Sequence, residues 1–271
     1  MKYADLHLHT LFSDGTYTPE ELVEEARKKD LDAISVTDHD TVSGVEPTLE
    51  AAKVKGIEVI PAIELSAEYY SREVHILGYF IDYKSKNLIE KVTILREDRI
   101  NRIHKIVDRL KSIGIKLKAQ SVFDIAGSGT PGRMHIALAM VKQGLVNSIY
   151  EAFEKYIGDK GPAYICGFRL SPLEAIQLIK DVGGIAVLAH PYLLNNDDLI
   201  PEFVEYGLKG LEVYYPEYTQ SMVNFYLGLA RHYNLVVTGG SDFHGKAKPD
   251  IKVGSIKIPY DLVEALKKLK S

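Results

Sequence analysis

Short apolar runs alternate with stretches of helical periodicity along most of this chain. Met1 to Leu6, Ala33-Ile34-Ser35-Val36, Ile57-Glu58-Val59-Ile60, Ile185-Ala186-Val187-Leu188 and Leu235-Val236-Val237 predict short buried strands. Between the first two, Thr18-Pro19-Glu20-Glu21 offers an N-cap, a proline at the first helical position and a glutamate three residues after the cap. Leu22, Val23 and Ala26 supply the apolar face of that helix, and Asp30 ends the pattern. A second helix is expected around Thr48 to Lys55, closed by Gly56, with strands around Ile57 to Glu64 and Val74 to Phe80. This alternation predicts an α/β barrel or a doubly wound sheet.

The pattern changes near Lys84. Leu88, Val92, Leu95, Ile103, Ile106, Val107 and Leu110 recur at helical spacing through one long amphipathic helix stopped near Gly114. Further helices are expected over Ala119–Ala126, Met134–Gln143 and Ser148–Tyr156, with no convincing strand before Tyr164. Residues 84–161 therefore read as a helical insertion in an α/β unit made from 1–83 and 162–271. Alternation resumes with a second capping signature, Ser171-Pro172-Leu173-Glu174, then strands at Ile185–Leu188, Leu211–Tyr214 and Leu235–Thr238. No internal repeat or low-complexity tract is present.

The bulk properties narrow the class. With 271 residues the chain can bury a full core, and 46% hydrophobic with 26% charged residues is ordinary for a soluble globular protein. A net charge of -4 creates no global basic field, so stable binding of duplex nucleic acid is not implied. Phosphate remains possible as a substrate if metal ions supply local positive charge. The single cysteine, Cys166, excludes an intrachain disulfide and suits the cytoplasm. The start lacks an apolar signal core, and no segment approaches the ~18 apolar residues of a membrane helix. The expectation is a soluble cytoplasmic protein with no membrane partner.

Chemistry-bearing residues gather where the strands end: His7-Leu8-His9, Asp38-His39, Glu64, Ala189-His190-Pro191 and Asp242-Phe243-His244. In a strand, residues i and i+2 share a face, so His7 and His9 project together, as do Asp242 and His244. Imidazole and carboxylate without thiolate suit Zn, Fe and Mn. Glu64 closes an apolar strand and His75 sits among Val74, Ile76 and Leu77; each needs a partner to be buried. Asp38 and His39 face opposite ways in a regular strand. His39 is taken as the ligand and Asp38 as the residue orienting its ring. Asp14, in Ser13-Asp14-Gly15, lies on the loop after the first pair and can reach the same cavity. His104, His232 and Cys166 read as ordinary structural residues.

Taken in order, these segments resemble the polymerase and histidinol phosphatase (PHP) family. The resemblance is carried by His7-x-His9 with Asp14, Thr37-Asp38-His39-Asp40, Glu64, His75, Ala189-His190-Pro191 and Gly240-Ser241-Asp242-x-His244. Thr130-Pro131-Gly132-Arg133-Met134-His135-Ile136-Ala137 is similar to the stand-alone bacterial members, among them 3′,5′-nucleoside bisphosphate phosphatases and 5′-to-3′ exoribonucleases. The similarity spans nearly the whole chain. It implies a distorted (β/α)7 barrel and two to three divalent transition-metal ions (Mn, Fe or Zn) forming a trinuclear centre. Carried over by position, His7, His9, Glu64 and Asp242 hold the first metal; Glu64, His75 and His190 the second; Asp14, His39 and His244 the third.

His190 is assigned to metal, and Arg133 with His135 to the substrate phosphate, since arginine presents a planar fork to phosphate oxygens. The implied reaction is attack of a metal-bound hydroxide on a phosphomonoester, with a protonated His135 assisting the leaving group. The implied substrate is a small phosphorylated molecule, a nucleotide or short oligonucleotide, with histidinol phosphate as the alternative. A zinc amidohydrolase also places His-x-His after its first strand, but it needs at most two metals and a lone late aspartate. A metal-stabilised interaction module would lack substrate-facing groups such as Arg133 and His135.

Overall fold

The apolar runs and capped helices assemble, in a computed structural model, into one sheet of eight strands. The structure describes residues 1–70, 72–127, 129–158, 160–167 and 170–270. Its elements run β1 (Tyr3–Leu8), α1 (Pro19–Lys28), β2 (Ala33–Val36), α2 (Val45–Lys53), β3 (Glu58–Tyr69) and β4 (Arg72–Tyr79). A helical stretch follows: α3 (Lys86–Ser112), α4 (Ala119–Ala126), α5 (Arg133–Lys142) and α6 (Ile149–Ala152), which passes into a π turn over Phe153–Ile157. The chain returns through α7 (Pro172–Asp181), β5 (Ile185–Leu188), α8 (Ile200–Tyr206), β6 (Gly210–Tyr214), α9 (Gln220–His232), β7 (Val236–Gly239), β8 (Ile258–Pro259) and α10 (Tyr260–Lys270).

Both expected capping boxes form. Thr18 Oγ1 accepts from the Glu21 amide while Glu21 accepts from the Thr18 amide, and Ser171 with Glu174 repeats the exchange at α7. The strand order is β7-β6-β5-β4-β3-β2-β1-β8. The His9 amide donates to the Phe243 carbonyl at 3.0 Å and Leu8 bridges Phe243 in parallel, so the chain leaving β7 runs beside β1 and nearly closes a barrel.

Two features depart from regular βα alternation. β3 and β4 are joined by a turn too short for a crossover helix, so β4 runs antiparallel to both β3 and β5. The two-residue β8 adds an antiparallel partner to β1, making eight strands where seven are expected.

The core divides along α3. Its first half, Leu88, Val92 and Leu95, packs with Ile63, Ile76 and Ile179 against the sheet. Its second half, Ile103, Ile106, Val107 and Leu110, packs with Ile136, Met140 and Ile157 in a separate cluster. Between the halves the buried stripe is interrupted by Arg99 and Arg102. No helix among the described residues is long and apolar enough to cross a membrane.

Gly240 sits where the chain leaving β7 meets β1: a Cβ there would lie 2.4 Å from both the Cβ and the backbone nitrogen of His7. Gly240→Ala is expected to cost about 1–3 kcal/mol through overpacking. Denaturant unfolding of the variant beside the wild type measures this, and equal midpoints would contradict it.

Candidate metal centre

Strand ends and the β3–β4 ladder bring the nine expected ligand residues into one cavity. His7 and His9 project from one face of β1, their ring centroids 5.2 Å apart. Glu64 lies within β3, and β4 pairs so that His75 stands opposite Ser66, on the same face as Glu64. His39 follows β2 and bridges Glu64 in parallel. His190 follows β5 with φ of 28°, and Asp242 follows β7 with φ of 50°. Such backbone angles are costly for non-glycine residues and persist only where surrounding structure enforces them.

The Glu64 carboxylate is fully buried and met by five imidazoles. Its Oε2 lies 3.3 Å from His7 Nε2, 3.2 Å from His9 Nε2 and 3.2 Å from His39 Nδ1. Its Oε1 lies 2.9 Å from His75 Nδ1 and 3.3 Å from His190 Nε2. Asp242 Oδ1 is 3.1 Å from His9 Nε2, and Asp14 Oδ1 is 3.2 Å from His244 Nε2. The donor atoms fall into four overlapping sets, each with all atoms within 4.8 Å of one another: His9, Asp14, His39 and His244; His7, Glu64 and His190; His7, His9 and Asp242; His39, Glu64 and His75. The partition differs from the one the resemblance implies, since His9 sits with Asp14 and His190 with His7.

The residues fit metal ions. His9 Nε2, Asp14 Oδ1, His39 Nδ1 and His75 Nδ1 are buried without a hydrogen-bond partner among the described residues. The short distances above therefore do not satisfy these atoms, because the groups are not aimed at one another with hydrogen-bond geometry. Buried nitrogen and oxygen lone pairs left in this way are expensive, and a shared cation offsets that cost.

Charge in the cavity is strongly coupled. Burial pushes the His7, His9 and His75 rings down, but neighbouring carboxylates outweigh it. His7 is held well above its ordinary value by Glu212, Glu64 and Asp242. His9 is raised to about 9 by Asp242 and Glu64, and His75 to about 10 by Glu64 and Glu73. Burial dominates at His39 and His244, whose pKa values fall. Asp14, Glu64 and Asp242 resist their own burial and lie well below the usual carboxylate range, held there by the surrounding rings and, at Asp242, first by Lys248.

Several groups that brace the cavity escape the sequence reading. Glu212 of β6 lies 2.8 Å from His7 Nδ1 and accepts from the His190 amide at 2.8 Å, so one buried carboxylate orients two ligand positions. Its signal is present in Leu211-Glu212-Val213, a carboxylate inside an apolar strand like Glu64. Lys248 Nζ lies 2.6 Å and the Tyr215 hydroxyl 2.8 Å from Asp242 Oδ2. Arg99 donates to Asp40 at 2.7 Å and to Ser66 at 2.7 Å; Arg102 donates to the Ile165 carbonyl at 2.7 Å. Both arginines occupy positions in the α3 stripe where an apolar residue is expected, which is the signal that would have found them.

One expectation is corrected, and another meets an unexpected local geometry. Asp38 does not orient His39: its oxygens accept from the Thr10 amide at 2.8 Å, the Thr10 hydroxyl at 2.6 Å and the Ser13 hydroxyl at 2.6 Å. It braces the loop between His9 and Asp14, because the β2–β1 register points its side chain at that loop. His135 is not exposed in the way a proton donor open to substrate would be: it is buried, its Nδ1 accepts the Gly132 amide at 3.0 Å, and it joins none of the candidate ligand sets among the described residues. Burial pushes its pKa down against Asp14 and a hydrogen bond to the Ser13 backbone. Arg133 does reach the cavity wall. It is paired with Glu73 at 2.5 Å, and its guanidinium lies over Tyr164 and Phe153 at 5.3 and 5.8 Å from the ring centroids. In the turn that presents it, Ser128 lies outside the described residues.

Comparison with known proteins agrees with this geometry. The PHP domain profile matches residues 5–160. A phosphoribosyl 1,2-cyclic phosphate 1,2-diphosphodiesterase of Eggerthella lenta is 31% identical over 248 residues, 89% of this chain and 94% of that one. A 3′,5′-nucleoside bisphosphate phosphatase of Chromobacterium violaceum is 31% identical over 265 residues, 94% of this chain and 91% of that one. A solved structure from Bifidobacterium adolescentis, assigned as a metal-dependent phosphoesterase, matches with a TM-score of 0.90 at 32% identity, covering 97% of this chain and 94% of the other.

Two measurements probe the cavity. Metal must displace the protons that His9 and His75 hold up to about pH 9 and 10, so affinity should rise with pH until that range is passed. Calorimetric titration of Zn at pH 7, in buffers of different ionisation enthalpy, should show proton release on binding; buffer-independent heats would refute it. Glu212→Gln, which keeps the shape but removes the charge on His7, should weaken metal binding about 10–100-fold. Equilibrium dialysis that finds unchanged affinity would leave Glu212 a purely structural residue.

Proposed function

This chain belongs to the PHP domain family and is a metal-dependent phosphoric ester hydrolase, and on that premise we propose that it hydrolyses phosphomonoesters of nucleotides. The substrates in view are a 3′,5′-bisphosphonucleotide or the 5′ end of a short RNA. The proposed ligands for two to three Mn, Fe or Zn ions are His7, His9, Asp14, His39, Glu64, His75, His190, Asp242 and His244. When bound, the ions would supply Lewis acidity toward the phosphoester and water activated at neutral pH.

The observation that carries the reading is the lining of the cavity, about 190 Å³ in volume, in which Arg99, Arg102, Arg133 and Lys248 join residues of the metal-binding set. Four cations facing a carboxylate-rich centre suit a substrate with more than one anionic group. Glu73 fixes the direction of the Arg133 fork, Asp40 that of Arg99, and Asp242 that of Lys248. Preset guanidinium groups neutralise phosphate oxygens without reorganising as charge develops. Histidinol phosphate, which carries a cationic amine, matches this wall less well, and the neutral amide of an amidohydrolase gains nothing from it.

In this reading residues 84–161 form an insertion that roofs the centre, while 1–83 and 162–271 form the barrel. Its separate apolar cluster and its delivery of Arg99, Arg102 and Arg133 to the cavity support that division. Cytoplasmic location is part of the proposal, supported by a single cysteine that is exposed.

A substrate panel tests the activity. Mn-reconstituted protein should hydrolyse a 3′,5′-bisphosphonucleoside or a 5′-phosphorylated short RNA in preference to histidinol phosphate and a cyclic amide. Amide hydrolysis without phosphoester hydrolysis would overturn the reading. Arg133→Ala should lower kcat/KM on the preferred phosphoester roughly ten- to a hundred-fold, the worth of a charge-assisted phosphate contact, with metal content unchanged by elemental analysis.

A further inference from the structure

The metal cavity opens into a second one of about 300 Å³, and the two share Glu73, His75, Arg133, His190 and Leu193. The rest of the second cavity is apolar: Val74, Leu188, Ala189 and Leu194. Those four are each at most 4% exposed, whereas Leu193 is 52% exposed. The cavity thus has a packed apolar floor, one open rim formed by Leu193, and the Arg133–Glu73 pair along its edge. Leu193 is placed by the short 3-10 turn Pro191–Leu194, which begins directly after His190. None of the floor residues has a role in the metal centre.

We propose that this cavity is a nucleobase subsite, with Leu193 as its specificity-determining rim. The inference deepens the nucleotide reading above and rests on it. A phosphate would find no donors on the floor, and ribose hydroxyls would lose their hydrogen bonds to water there without replacement. A flat heteroaromatic ring suits all three surfaces. Its faces bury against Leu193 and the apolar floor, and its edge meets the guanidinium and carboxylate of Arg133 and Glu73. Because the two cavities are contiguous at His75 and His190, a ring held in one leaves its phosphate beside the ligand set of the other. Recognition by apolar area, with few polar contacts, predicts tolerance among bases and a preference for purines, which bury more surface.

The test is a comparison of the uncharged substitution Leu193→Asn with wild type, Leu193 being 52% exposed and the change therefore sparing the fold. On adenosine 3′,5′-bisphosphate the uncharged variant should raise KM about ten-fold or more, and KM for ribose 5-phosphate should rise by a clearly smaller factor. Equal shifts on both substrates, or none on the nucleotide, would overturn the proposal. A second measurement does not need turnover. Saturation-transfer NMR of adenosine with Zn-loaded protein should show transfer to the base protons in wild type and its loss in Leu193→Asn. Adenosine contact that survives the substitution, or is absent from wild type, counts against the subsite. Failure of the nucleotide reading would appear differently, as phosphoester hydrolysis without preference for nucleotides alongside base contact that still depends on Leu193.

Discussion

The buried carboxylate of Glu64 is the constraint around which this protein is organised. A fully buried anion is expensive unless paired, and here five imidazoles approach its two oxygens within 3.3 Å. Those rings come from β1, β4 and the segments after β2 and β5, so one charge ties most of the barrel to a common point. Several ring nitrogens around it still lack hydrogen-bond partners, which leaves the arrangement incomplete as a purely protein structure and suited to cations. The buried lone pairs that are costly for the protein alone are the ones a bound cation would satisfy.

Around that centre, orientation is delegated to a ring of polar residues. Glu212 holds His7 and the His190 amide, Asp38 holds the loop that carries Asp14, and Tyr215 with Lys248 holds Asp242. Asp5 does the same for the late loop, accepting from the Ser241 amide and hydroxyl and from the Gly254 amide; burial raises its pKa to about 6 against those bonds. Their bonds end on backbone amides, on hydroxyls of the neighbouring loops or on candidate ligand side chains. Without them the ligand set would be present but not aimed.

The helical segment contributes chemistry rather than ligands. α3 packs one half of its apolar stripe on the barrel and the other half in a separate cluster, and its two interrupting arginines face the metal cavity. Arg99 reaches down to Asp40 and Ser66, joining the roof to the barrel through charge as well as packing. Positive charge from above and a carboxylate-rich centre below make one site from two layers. This is how a chain with net charge -4 presents a cationic wall to an anionic substrate.

Local sequence was enough for the elements that carry their own signals. The capping boxes at Thr18 and Ser171, the stripe of α3 and the short strands at Ala33–Val36 and Ile185–Leu188 follow from periodicity and end chemistry, which act over a few residues. The gathering of the candidate ligand residues was legible too, because His, Asp and Glu at the ends of apolar runs have few other reasons to be there. Tertiary structure alone decided what depends on distant pairing. β4 reverses because its turn is too short for a helix, Asp38 turns to Thr10 and Ser13 instead of His39, and His135 is sealed against backbone rather than opened to substrate. Glu212, Lys248 and the two α3 arginines gain their roles from partners on other elements, mostly far away in the chain. Side-chain direction across a barrel is set by register and packing, and a one-dimensional pattern carries neither.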